Sequence, residues 1–264
     1  MDSRGVSRAR SSSPSLTVVV LGCTAALATL TGCGGSGAAG IFQASPDDAG
    51  SPGTGVDGSL YPSDAGSFLE DVTPAPCPPA SVTKFEPTWK PPIASGSGAC
   101  NHTQISSFFD ACMGPSSSTA GCNAFVQANA TCSTCLQSND TDPEYGPVIW
   151  HANRLYYTTN IAGCIADEQA DAGAGGCGAA YQAVVQCKES ACNACLSPTS
   201  PDFSVYATCE NQAGTECQSF IDALTSTCGT ALGDPNSSVA PCIPPSTATA
   251  EEAYLALAPI FCGT

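Results

Sequence analysis

Two C-x2-C pairs, Cys132/Cys135 and Cys192/Cys195, have the spacing with which thiolates hold a tetrahedral zinc ion or exchange electrons through a disulfide. They stand among 18 cysteines in a chain of 264 residues, and that abundance changes their meaning. A redox pair would be the exception in its chain and would lie in a βαβ setting. Neither condition holds. Setting aside Cys23 and Cys33 near the start leaves an even set of 16: Cys77, Cys100, Cys112, Cys122, Cys132, Cys135, Cys164, Cys177, Cys187, Cys192, Cys195, Cys209, Cys217, Cys228, Cys242 and Cys262. In an exported domain such a set reads as a framework of up to eight structural disulfides rather than a metal centre. No metal and no cofactor is expected.

Other chemistry leaves little trace. His102 and His151 are the only histidines, and H-E-x-x-H, G-x-S-x-G and phosphate-cradling glycine loops are all missing. No catalytic residue is assigned. The acidic pair Glu251 and Glu252 reads as a solvated helix start. An envelope hydrolase would have to use His151 with a carboxylate such as Glu144 or Asp167.

The elements that position these residues follow from periodicity. Three segments, at about 100–136, 164–196 and 209–242, share a cysteine layout, with C-x9-C cores in the first two and C-x10-C in the third, which marks a degenerate repeat. Cys122, Phe125, Val126, Asn129, Cys132 and Leu136 fall on one helical stripe, and Cys217, Phe220, Ile221, Leu224 and Cys228 repeat it. An earlier helix is predicted over 104–112, capped by Asn101 or Thr103. The stretch GPVIWHANRLYYTTN, residues 146–160, is β-branched and aromatic and turns at Ala152-Asn153, which predicts a hairpin. The fold expected is mainly α: short helical pairs stapled by disulfides, one small β-hairpin, and a disordered tether ahead of them.

The start of the chain reads as an export signal over 1–32, with Arg4, Arg8 and Arg10 before an apolar run from 16 to 30. Leu30, Thr31, Gly32 and Cys33 resemble the lipobox of bacterial lipoproteins, a resemblance that implies cleavage before Cys33 and acylation of that cysteine. Residues 33–76 follow as the lipidated cysteine and a Gly-, Ala-, Ser-, Pro- and Asp-rich linker with too little apolar surface to fold. A flexible tether of this length spans roughly 35 to 40 Å, enough to hold the 77–264 domain clear of lipid headgroups. Loss of residues 1–32 leaves Lys84, Lys90, Arg154 and Lys188 against 22 acidic residues, a formal charge of −18. Such a balance excludes nucleic acid as a partner and leaves the lipid anchor as the route to a membrane.

The C-x9-C spacing resembles the twin helical hairpins of mitochondrial intermembrane-space proteins, from which only the geometry carries over, because 44 residues separate Cys132 from Cys177 and a lipobox precedes both. The whole mature chain, with its FEPTWKPP lead-in, its cysteine-rich helices and GPVIW before NIAGCIA, resembles the cysteine-rich predicted lipoproteins of myxobacteria. That resemblance implies location and disulfide usage; it carries no activity. The function expected is a lipid-anchored extracytoplasmic binding or structural module of the cell envelope, at the outer membrane or cell surface. Envelope polysaccharide or a surface protein is the candidate partner. Trp150, His151, Tyr156 and Tyr157 are the candidate binding residues, with Trp150 packed and Tyr156 or Tyr157 presented to the ligand; the alternative is that these aromatics cap a thin core beside Trp89.

Overall fold

The computed structural model describes residues 42–43, 77–94, 98–152, 154–196 and 202–263. Cys33, the signal segment and nearly all of the 33–76 linker lie outside the described residues. The chain is mainly helical. Its helices are α1 (His102–Cys112), α2 (Thr119–Ala128), α3 (Ala130–Leu136), α4 (Ile161–Glu168), α5 (Cys177–Cys192), α6 (Phe203–Gln212), α7 (Gln218–Cys228) and α8 (Ala250–Cys262). Between α3 and α4 run β2 (Gln137–Asn139), β3 (Val148–His151) and β4 (Tyr156–Thr159), and β1 (Phe42–Gln43) adds an edge, giving the order β1-β4-β3-β2. Among the described residues no helix is long and apolar enough to cross a membrane.

Local chemistry sets several helix limits. Asn101 caps α1 by accepting from Gln104 N–H while the Gln104 side chain accepts from Asn101 N–H, a reciprocal box that satisfies two otherwise orphaned donors. Thr249 and Glu252 do the same for α8, and Glu251 and Glu252 in its first turn complement the positive end of the helix dipole. The helix expected to run unbroken from Cys122 to Leu136 is in fact two. Asn129 stops it: its side-chain amide donates to Phe125 O at 3.1 Å and accepts from Gln104 Nε2 at 2.9 Å, so a polar side chain competes with the helical backbone and ties the break to α1.

All 16 cysteines from Cys77 to Cys262 are paired, in eight disulfides. Cys112–Cys122 joins α1 to α2, Cys100–Cys132 joins the start of α1 to α3, and Cys135–Cys262 joins α3 to α8. The three repeat-like segments do not share a connectivity. Instead α5 and α7 lie antiparallel, with Cys177–Cys228 at one end and Cys187–Cys217 at the other, so two of the similar cores staple to each other. Cys192–Cys209 ties α5 to α6, Cys164–Cys242 fixes α4 to a 3-10 turn, and Cys77–Cys195 holds the start of the domain.

The main core gathers around α8. Tyr254, fully buried, donates its hydroxyl to Ile105 O at 3.0 Å and stacks on Phe109, while Phe108 meets Phe125 edge-on. Cysteines fill much of this core, and the disulfides supply cohesion that a core poor in large side chains lacks. On the other side α4 approaches α5 so closely that a Cβ on Gly178 would lie 2.5 Å from Ala162 O.

The hairpin forms with Val148 opposite Thr159 and His151 opposite Tyr156. Its tight connection places Ala152 and Arg154 at φ of 48° and 71°, left-handed backbone that costs a non-glycine residue about 1 kcal/mol or more. β2 lies parallel to β3, Gln137 beside Val148, a pairing with no local sequence signal.

Candidate functional site

Alternation along the hairpin sorts its side chains onto two faces. Val148, Trp150 and Tyr157 face the main core, whereas Ile149, His151, Tyr156 and Thr158 line a cavity of about 540 Å³. The opposite wall is α5, through Gln182, Gln186 and Glu189, and Tyr206 of α6 contributes as well.

A third wall is an extended strap over residues 85–90, held in place by α5. Thr88 N–H donates to Gln186 Oε1 at 2.9 Å and Gln186 Nε2 returns to Thr88 O at 2.9 Å. Lys90 N–H donates to Gln182 Oε1 at 2.8 Å and Gln182 Nε2 returns to Lys90 O at 3.3 Å. Alternate strap residues thus pair with glutamines one helical turn apart, and two side-chain amides do the work of a neighbouring strand. The strap then joins the segment before β3, where Tyr145 N–H donates to Pro91 O at 2.9 Å and Ile93 N–H to Tyr145 O at 3.0 Å.

At one end of the cavity Lys90 donates its ammonium to Asp140 O and stands 4.9 Å from the centre of the Tyr145 ring. Tyr145 donates its hydroxyl to the same carbonyl at 2.8 Å. His151 is 8% exposed, stacks flat on Tyr156 at 4.7 Å between centroids, and sets Nε2 2.9 Å from Thr158 Oγ1. Its Nδ1 lies 4.0 Å from Asp140 Oδ2. Burial lowers the imidazole pKa to about 4; Asp140 pulls it up, Lys90 pushes it down, and neutral imidazole prevails at pH 7.

The wall formed by α5 and α6 is acidic. Burial, with Glu210 and Asp140 nearby, pushes the Glu189 carboxyl up to about 8. Glu210 sits behind Tyr206 and is pushed up to about 7 by burial, against the opposing pull of a hydrogen bond from Tyr206 and of Lys188. Tyr206 also hydrogen-bonds Tyr156, so the chain Tyr156–Tyr206–Glu210 links the sheet to α6, and both hydroxyls are held far above their ordinary pKa by burial.

Two expectations need correction. Neither Tyr156 nor Tyr157 is presented at the surface: they are 6% and 1% exposed, because both faces of the hairpin are covered. Trp150 is packed, at 3%. Its ring meets Tyr157 edge-on at 5.3 Å, carries the Arg154 guanidinium at 4.3 Å and donates Nε1–H to Gln137 Oε1 at 2.9 Å. Trp89 sits on the strap and donates to Ala172 O at 2.9 Å. The carboxylate beside His151 is Asp140, while Glu144 is exposed and Asp167 lies on α4, away from the cavity wall. Of the four candidate binding residues, only His151 and Tyr156 line the cavity.

Sequence reasoning missed Asp140, Glu189, Tyr206, Glu210 and the two glutamines. The signal available was the polar stripe Gln182, Gln186, Glu189 and Asn193, at helical spacing on a helix whose other side carries Cys177, Val184, Cys187 and Ala191. The sulfurs of the two C-x2-C pairs are spent in four different bridges. Among the described residues no group of three or more His, Cys, Asp or Glu side chains could hold a metal ion. Comparison of the chain with known protein families, with curated proteins and with solved structures yields no match.

Proposed function

We infer that the protein is a lipid-anchored extracytoplasmic binding module of the cell envelope, tethered through Cys33, whose ligand seat is the cavity between the hairpin, α5 and the strap. The observation that carries this reading is the cavity itself. It is large enough for a compound of sugar size, mixes aromatic rings with polar groups, and is walled by elements that disulfides fix at several points. Envelope saccharides suit it: rings offer faces for stacking, and Thr158, Ser190 and Asn193 offer hydroxyl and amide partners on its lining. The test is calorimetric titration of the full chain, in detergent, with glucose, N-acetylglucosamine and glucosamine. At least one should bind saturably, and Ser190→Trp, which plugs the cavity from an exposed helix position, should abolish it. Absence of saturable binding by all three, or binding that survives the plug, would contradict the reading.

One arrangement favours a hydrolase instead. Thr158 Oγ1, His151 and Asp140 lie in the order of nucleophile, base and orienting carboxylate. Two features count against it: 4.0 Å from Asp140 to Nδ1 is too long for a hydrogen bond, and an imidazole with a pKa of about 4 is a weak base at neutral pH. Turnover of p-nitrophenyl acetate that disappears in Thr158→Val would establish the hydrolase and displace the binding module.

A further inference from the structure

Among the groups lining the cavity, Lys90 is the one cation, and it is already engaged with the Asp140 carbonyl and the Tyr145 ring. In that contact an ammonium is seated on an aromatic face with an oxygen acceptor at its side. A second place on the cavity wall repeats those components without the cation. Glu189 faces the cavity from α5 and takes no hydrogen bond from any described residue, and the rings of Tyr156 and Tyr206 stand nearby at 6.3 Å from each other.

We propose, building on the reading of this cavity as a ligand seat, that its ligand is a small polyhydroxylated amine, in chemical class a free amino sugar, whose ammonium lies against the Glu189 carboxyl beside Tyr156 and Tyr206. Glu189 is half-buried on the cavity wall with no cation paired to it, and desolvation raises its carboxyl pKa so that it holds a proton at neutral pH. An arriving ammonium supplies the missing positive charge and takes the place of that proton. A neutral hydroxyl or an acetylated amine of the same ring cannot. The acidic balance of the whole chain points the same way, since it favours approach of a cationic ligand over an anionic one.

The three sugars named above share one ring and differ at one substituent, which makes them the test. At pH 7 and low salt, glucosamine should bind the full chain about tenfold or more tighter than glucose and N-acetylglucosamine. Glu189→Gln should erase that preference, bringing the affinity for glucosamine to that for glucose and N-acetylglucosamine measured on the same variant. Equal affinities for the three sugars, with all binding blocked by Ser190→Trp, would overturn the amine proposal and leave the binding module standing. A preference for glucosamine that survives Glu189→Gln would also overturn it, because the ammonium would then sit elsewhere. If none of the three binds, the module reading fails and the amine proposal fails with it. The comparison of sugars on the unmodified chain decides the matter even if a variant does not fold.

Discussion

Trp150 separates the two faces of the hairpin, and its truncation should damage stability without touching the cavity. The side chain is 3% exposed, meets Tyr157 edge-on and carries Arg154 over its ring. Removing a buried aromatic of this kind costs about 3 to 5 kcal/mol, of which the aromatic pair accounts for roughly 0.5 to 1.5. For a domain of this size that lowers the melting temperature by roughly 6 to 20 °C. Trp150→Phe should cost much less, about 1 to 2 kcal/mol. It keeps the ring, and the acceptor it abandons is not orphaned, because Gln137 Oε1 still takes a hydrogen bond from Arg154 Nη2 at 2.7 Å. The assay is guanidinium unfolding with disulfides intact, comparing midpoints at unchanged slope. Affinity for glucosamine at low temperature should stay within about twofold in both variants, since Trp150 points away from the ligand. A Trp150→Ala protein that lost less than about 1 kcal/mol, or lost binding while keeping its stability, would refute this placement.

Four further outcomes are expected. Glu189 and Glu210 have folded pKa values raised to about 8 and about 7, so their contribution to stability is full below about pH 4.5 and lost as pH rises through those values; Glu189→Gln should flatten the decline between about pH 4.5 and 8 in melting scans, and parallel curves for the two proteins would reject this linkage. His151 works in the opposite sense: its folded pKa of about 4 means stability present above about pH 6.5 and lost as pH falls toward 4, a loss that His151→Gln should reduce. In the chain-entropy account, replacing Cys135 and Cys262 by alanine, a bridge spanning 127 residues, should cost about 5 kcal/mol against about 3 for Cys112 and Cys122, spanning 10; calorimetry that reversed the order would reject the account. Cys33→Ala should move the protein out of the membrane fraction or leave it unprocessed, and normal cleavage with continued membrane retention would contradict the anchor.

Much of the fold was legible because its signals are local. The stripe Ile105, Phe108, Phe109 and Cys112 behind Asn101 defines α1 and its cap, and the alternation around Ala152 defines the hairpin. The break at Asn129 was less visible, since the same residue fits the helical stripe and only its contact with Gln104 turns it into a stop. The pairing of α5 with α7 and the parallel docking of β2 on β3 depend on contacts between distant segments, which spacing alone does not select. The cavity was harder still. A polar stripe such as Gln182, Gln186 and Glu189 is satisfied equally by water or by a buried partner, and the partner of the glutamines is the backbone of a strap roughly a hundred residues away. Tyr156 and Tyr157 misled for a related reason: opposite faces of a strand need not mean one inside and one outside when helices and strap cover both.

The central claim is that the cavity binds a ligand, and the most direct measurement is a titration of the isotopically labelled full chain with glucosamine, followed by backbone amide chemical shifts. Saturable shifts concentrated at His151, Tyr156, Gln182, Glu189 and Tyr206, with the Trp150 face silent, are the predicted result. Shifts that fail to saturate, or that gather around Trp150 and Arg154 while the cavity stays silent, would contradict it.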